Sequence, residues 1–312
     1  MRLRRAALST SMLIGPVGLG GAMFAFRHVP VELPPPPPPA AEQALSIRYL
    51  GVTGYAISDG ETTIILDPML NRATADELLL PLDPDPELAA RWVPEADFVL
   101  VNHAHYDHAI DAPSIALRTG APVLGPQSVV NLALSRGVPA PQTRALSGGE
   151  RLTLGSCTVN VAASTHGSVL GMEKPMYGEI PPDAGALWFF QYKHDESLSY
   201  RIECGGASVW FHPSALYTPG ELGGLEADTL IIGVNNADAN DAAFRDIVAD
   251  VKPRRILPSH YDNFFQPIDL GLSLFPGLDL ERRRDVLIGD ATDIGWVVMD
   301  YGQVLTVPPD AP

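Results

Sequence analysis

Two cysteines in 312 residues allow one disulfide at most, which excludes a scaffold built from cystines. Basic residues are scarce, with 21 Lys and Arg against 37 Asp and Glu and a formal charge of −16. A backbone-binding nucleic-acid protein needs cations to displace condensed counterions, so no nucleic-acid partner is expected. Charged residues make up only 19% of the chain and apolar ones 46%, which excludes a disordered or collagen-like polymer. The length fits one large α/β domain.

What is present begins with Arg2, Arg4 and Arg5, followed by an uncharged stretch from Ala6 to Phe26. As a helix that stretch would reach about 30 Å, the thickness of a bilayer's hydrocarbon core. It is only mildly apolar, with Pro16 and four glycines. A basic start before an apolar run predicts an export signal or membrane anchor over residues 1–28, and hence a periplasmic location. Residues 29–45 form a Pro-rich linker in which Pro34–Pro39 makes a polyproline II spacer of roughly 19 Å.

Residues 46–312 read as one folded domain. Short apolar runs predict strands at Ile47–Leu50, Tyr55–Ile57, Thr62–Leu66 and Phe98–Val101, with Asp59-Gly60 as a hairpin turn. Further strands are expected at Pro122–Leu124, Leu152–Leu154, Thr158–Ala163, Ala186–Tyr192, Ser199–Glu203, Ser208–Phe211, Thr229–Ile232, Arg255–Leu257 and Trp296–Met299. Helices are expected at Pro113–Arg118, Ser128–Arg136 and Asp241–Val251. Strands with interspersed helices, lacking strict alternation, predict sheets packed together with helices outside.

The chemistry is concentrated in Val101-Asn102-His103-Ala104-His105-Tyr106-Asp107-His108. Three histidines and an aspartate directly after a buried strand are costly in a core, and imidazole and carboxylate are ligands for zinc and neighbouring divalent metals. Extended backbone would point His103 and His105 the same way. Asp107 and His108, in the turn that follows, can face a second centre.

This segment resembles the H-x-H-x-D-H signature of the metallo-β-lactamase superfamily of metal-dependent hydrolases. Gly51-Val52-Thr53-Gly54 and Leu66-Asp67-Pro68 resemble that family's opening hairpin. Ala163-Ser164-Thr165-His166-Gly167 falls at its third metal histidine, and Leu257-Pro258-Ser259-His260-Tyr261-Asp262 resembles the late strand with the final histidine. The order is most similar to the branch with ascorbate-lactone hydrolases and N-acyl-phosphatidylethanolamine phospholipase D. The resemblance implies a four-layer αβ/βα sandwich. It also implies one metal held by His103, His105 and His166, and another by Asp107, His108 and His260. One or two divalent ions are expected, with zinc first and iron or manganese as alternatives. A metal-bound hydroxide would attack an ester, lactone or amide carbonyl or a phosphodiester, and Asp107 would hand a proton to the leaving group. The substrate is expected to be a small molecule or lipid-like. The rival expectation is a non-catalytic protein that keeps the fold and binds a ligand.

One departure stands out. Where the family usually has Gly-Asp, its aspartate bridging both metals, this chain has Phe211-His212-Pro213-Ser214. A neutral imidazole offers one lone pair and cannot bridge, so His212 is expected either as a terminal metal ligand or as a packed histidine. Asp67 is read as orienting a ligand histidine or forming a turn, and Asn235 and Asn236 as pocket-lining or turn residues. Ser168–Gly185, with Met172, Met176, Tyr177 and Ile180, reads as a lid or an ordinary packed loop, and Phe264 and Phe265 raise the same choice. Cys157 and Cys204 are read as buried free thiols, with a disulfide as the alternative. His194, in Lys193-His194-Asp195-Glu196, is read as the tip of a polar hairpin.

Overall fold

The computed structural model describes Leu33 and residues 44–309, apart from 75, 168–175, 215, 236–240, 290 and 292. The segment 1–28, nearly all of the linker 29–45, Met172 and Asn236 therefore lie outside the described residues.

Two seven-stranded mixed sheets face each other. The first runs in the order β14-β1-β2-β3-β4-β5-β6, with β1 Leu45–Gly51, β2 Gly54–Ser58, β3 Thr63–Leu66, β4 Phe98–Leu100, β5 Val123–Gly125, β6 Thr143–Ala145 and β14 Val304–Val307. The second runs β13-β12-β11-β10-β9-β8-β7, with β7 Arg151–Leu154, β8 Cys157–Ser164, β9 Ser197–Cys204, β10 Ala207–His212, β11 Thr229–Gly233, β12 Arg255–Ser259 and β13 Gly295–Trp296. Each sheet is antiparallel in one half and parallel in the other: β3 to β6 are parallel in the first, and β10 to β13 in the second. Parallel neighbours need crossover connections, which are usually helical. The helices Pro86–Trp92, Ala112–Thr119 and Gln127–Ser135 supply them in the first sheet, and Asp241–Val251 and Leu280–Ile288 join β11 to β12 and β12 to β13 in the second.

The alternation of the strands sets the layers. In β3, Ile64 and Leu66 join the core that also holds Tyr200, Val209 and Phe211 of the opposite sheet. Ile65 between them points the other way and packs with Ile115, Val129 and Leu132 of the covering helices. Successive strand residues face opposite sides, so a strand covered on both faces reads as an uninterrupted apolar run. Behind the second sheet, Phe244, Ile247 and Val251 present the buried face of the helix Asp241–Val251. The result is an α/β sandwich of helix, sheet, sheet and helix.

Three local expectations are corrected. Ala186–Tyr192 is not a strand: Phe189–Gln191 forms a 3-10 turn, closed by Gln191 Oε1 accepting the Trp188 backbone N–H at 2.9 Å. The last expected strand shrinks to Gly295–Trp296. Cys157 and Cys204 are joined as a disulfide, with Cα atoms 4.6 Å apart. They sit at the paired ends of antiparallel β8 and β9, where Thr158 faces Glu203, and that register brings the two within bridging range.

Candidate metal centre

The active end of the sandwich is built from the residues that follow parallel strands and their partners. β4 ends at Leu100, and the chain is then held in place on both sides. The Val101 carbonyl accepts the Tyr200 hydroxyl at 2.7 Å, and the Asn102 N–H donates to Asp67 Oδ1 at 2.6 Å. His105 remains extended (φ −60°, ψ 151°) and caps a single helical turn, Tyr106–Ala109. The extended stretch puts the His103 and His105 rings 4.5 Å apart, and the helical turn carries Asp107 and His108 round to the other side.

Two clusters of ligand-type atoms result. The nitrogens of His103, His105 and His166 lie within 4.8 Å of one another, and so do the ligand atoms of Asp107, His108 and His260. The His103 and His108 rings, 4.0 Å apart, join the two groups. His166 follows β8 and His260 follows β12, so each trio takes two residues from the first sheet's side and one from the second. His260 sits at φ 58°, a left-handed conformation uncommon outside glycine. Its backbone N–H donates to the Val52 carbonyl at 2.6 Å.

Hydrogen bonds decide which ring nitrogens keep lone pairs. His166 Nδ1 meets the Gly167 carbonyl at 2.6 Å, and His108 Nδ1 meets Asp67 Oδ2 at 2.7 Å. His103 Nδ1 meets the Asn102 side-chain oxygen, whose amide nitrogen donates to the Leu198 carbonyl. Carbonyl and carboxylate oxygens only accept, so each Nδ1 carries the hydrogen and a neutral ring presents its lone pair at Nε2. Nε2 of His103 and of His105 are buried without a hydrogen-bond partner. Burial, and then neighbouring histidines, hold the His103 pKa well below its ordinary value. Burial dominates for His105 as well. Burial and His194 lower His166 to about 4. Burial pushes Asp107 up, but His108, His260 and His105 outweigh it and leave the carboxyl far below its usual range. Neutral imidazoles with orphaned lone pairs beside an ionised carboxylate are the donor set of a transition-metal site. The residues fit such ions.

Beyond the ligand atoms, Asp67 holds His108 and is itself fully buried. Thr53 Oγ1 lies 3.0 Å from the same Nδ1. Asn235 Nδ2 lies 3.4 Å from His260 Nδ1, and Phe264 stands 5.3 Å from the His260 ring. Ile180 is buried in the helix-side core and Tyr177 is exposed.

The structure does not bring His212 to either trio. Its Nε2 donates to the Leu216 carbonyl at 2.8 Å, and its Nδ1 accepts from the Ser199 hydroxyl at 2.7 Å. Both nitrogens are engaged by the protein, which makes it a packed histidine and not a ligand. The reverse correction applies to His194, expected at a polar hairpin tip. It is buried, with its ring 4.6 Å from that of His105 and stacked on His166 at 4.7 Å. No spacing in the charged run around it marks it as a site residue.

The fold and this pair of trios define a metal-dependent hydrolase. The beta-lactamase superfamily domain matches residues 46–260, and the chain belongs to that family. It is 27% identical over 232 residues to a UPF0173 metal-dependent hydrolase of Anaeromyxobacter sp. (strain K), covering 72% of this chain and 77% of that one. A second UPF0173 metal-dependent hydrolase, from Pyrobaculum arsenaticum, is 26% identical over 222 residues, or 70% and 85% of the two chains. In three dimensions the fold is similar to a metallo hydrolase from Ignicoccus hospitalis, with TM-score 0.53 and 18% identity over 84% of this chain and 98% of that one. Membership implies divalent metal ions as cofactors.

The expected exported, membrane-held form is corrected by the same findings. No helix among the described residues is long and apolar enough to cross a membrane, and the names of these relatives speak of metal-dependent hydrolysis, with nothing of export. That expectation rested on a basic start before an uncharged run that Pro16 and four glycines interrupt, and residues 1–28 lie outside the described residues.

Proposed function

We propose that the two trios form a dinuclear centre that hydrolyses an ester, lactone or amide with an apolar acyl part. The observation that carries this reading is the pair of buried, partnerless Nε2 atoms on His103 and His105. A buried polar atom without a partner is costly, and a cation shared with His166 satisfies both at once. Zinc suits imidazole with one carboxylate, and iron and manganese are compatible. Ions held there would supply Lewis acidity and lower the pKa of water toward neutrality.

The chain's own groups do the rest. Asp107 Oδ2 stands 3.2 Å from His260 Nε2 and 3.7 Å from His108 Nε2. Its remaining lone pairs are placed to take a proton and return it to the leaving oxygen or nitrogen. Asp67 and Asn102 keep the rings of His108 and His103 in one tautomer, as ligand histidines require. Phe264 packs on Phe265 and Phe275 at 4.6 and 5.4 Å, giving an aromatic wall beside His260 for the acyl part. Among the described residues, the hydrogen bonds of the two trios involve no lysine or arginine. Arg72 is engaged by Asp262 at 2.7 Å. Because none of these hydrogen bonds among the described residues offers a fixed cation to a phosphodiester, we favour a neutral carbonyl.

The test is a substrate panel on the metal-loaded full chain: nitrophenyl esters of rising acyl length, lactones, anilides and bis(nitrophenyl) phosphate. Turnover of an acyl substrate that rises with acyl length and is abolished in His105→Ala and Asp107→Ala is the expected result. Phosphodiester cleavage with every acyl substrate untouched would overturn the reading.

A further inference from the structure

We propose that His194 is a fourth ligand of the ion held by His103, His105 and His166. The proposal rests on reading those three histidines as a metal site. The observation is a shape. The ring of His194 lies 5.5, 4.6 and 4.7 Å from those of His103, His105 and His166, which themselves stand 4.5, 4.7 and 4.6 Å apart. Four points with six nearly equal separations are the corners of a tetrahedron. Imidazoles sharing one tetrahedral ion through nitrogens about 2.0–2.1 Å away carry ring centres roughly 5 Å apart.

The corner is built by the backbone. The His194 N–H donates to the Met176 carbonyl at 3.1 Å, and its own carbonyl accepts the Gly178 N–H at 2.9 Å. The next residue, Asp195, accepts the backbone N–H of Ser128 at 3.2 Å, pinning the strap to the start of the helix Gln127–Ser135. The ring plane lies 30° from that of His166. The ligand atoms gathered within 4.8 Å of one another are those of His103, His105 and His166, so ligation by His194 requires its ring to turn about the Cβ–Cγ bond until a nitrogen faces them.

Four imidazoles change the division of labour. A four-ligand zinc shell is closed, whereas a catalytic one keeps an open position. With His194 engaged, the open position falls to the trio of Asp107, His108 and His260, beside the Phe264 wall. The donor set of the first centre becomes all-nitrogen and uncharged, which suits zinc, copper, iron and nickel more than magnesium or calcium.

The experiment is cobalt(II) titration of the full chain, following visible absorption and bound metal, on the native sequence and on His194→Ala and His194→Cys. Circular dichroism melting checks that each variant folds. The expected result is four-coordinate absorption in the native chain and loss of that intensity in His194→Ala, with affinity at one centre weaker by roughly tenfold or more. His194→Cys is expected to regain binding with a new thiolate-to-cobalt charge-transfer band in the near ultraviolet. A residue that merely packs would not produce such a band. Should His194→Ala fail to fold, His194→Cys alone decides by that band. Native-like spectra and affinities in both variants overturn the proposal while leaving the three-histidine site intact. A native chain that binds no cobalt overturns both.

Discussion

Asp67 grips His108 through one carboxylate oxygen and the backbone of Asn102 through the other, at 2.7 and 2.6 Å. One buried side chain thus sets the ring of His108 in the second trio and the start of the motif that carries the first. Removing it frees His108 to rotate. Asp67→Ala is expected to weaken the ion at the Asp107, His108 and His260 centre by about 10–100-fold. Equilibrium dialysis against graded chelator concentrations, counting ions per chain, would show the loss. Unchanged occupancy of both centres would refute the role.

Asp262 gathers Arg72 at 2.7 Å, the Tyr49 hydroxyl at 2.8 Å, the Tyr301 hydroxyl at 2.7 Å and the Val52 N–H at 2.8 Å, all buried or nearly so. It ties the turn at Val52 to the loop that presents His260. Stripping one partner from a buried ion pair leaves an uncompensated charge, at about 3–5 kcal/mol. Arg72→Met should therefore lower urea-unfolding stability by that order, and Arg72→Met with Asp262→Leu should cost clearly less than the two single changes added together. Strict additivity in the double-mutant cycle would count against the coupling.

His212 supplies a pH signature. Burial lowers its pKa to about 4, from the 6.5 of an ordinary histidine. The unfolded chain therefore binds a proton that the folded chain refuses, and stability is fully present above about 6.5 and lost as pH falls toward 4. The loss from this one residue is on the order of 3 kcal/mol. His212→Gln should flatten that part of the stability curve between those limits when compared with the native chain under identical metal loading. Parallel curves for the two proteins would rule the assignment out.

The Cys157–Cys204 bridge closes a loop of 47 residues in sequence separation. Cross-links of this kind contribute about 2–4 kcal/mol, mostly through the unfolded chain. Reduction, or Cys157→Ala with Cys204→Ala, should lower the melting temperature without changing metal stoichiometry, because the bridge lies away from both trios. A lost ion on reduction would contradict that separation.

The legible parts of this chain are those where one local signal suffices. Buried strands announce themselves as apolar runs, and the motif histidines crowd into a few residues after one of them. The helix Pro86–Trp92 escaped the reading even though Asp85 caps it, accepting the Glu87 N–H at 2.9 Å. Leu280–Ile288 is worse: its run of arginines hides a face on which only Arg283, Leu287 and Ile288 are buried. His212 and His194 show the limit most clearly. The first looks like a ligand by its place in a family pattern, and tertiary contacts with Ser199 and Leu216 take both its nitrogens. The second sits among Lys193, Asp195 and Glu196, the composition of a solvated turn. Backbone pairing with Met176 and Gly178, across a gap in sequence, carries it inward. Long-range pairing of that kind leaves no local trace.

Each trio straddles the seam between the two sheets, two residues contributed from one side and one from the other. Such a site works as a rivet. Neither half of the sandwich can grip an ion alone, and a small sliding of one sheet over the other would spread both trios together. The packing of Tyr55 on Phe211 and of Phe211 on Tyr200 across that seam therefore acts as a gauge for the chemistry, although none of the three belongs to either trio. Substitutions there should be felt first as leakage of metal, before the fold itself gives way.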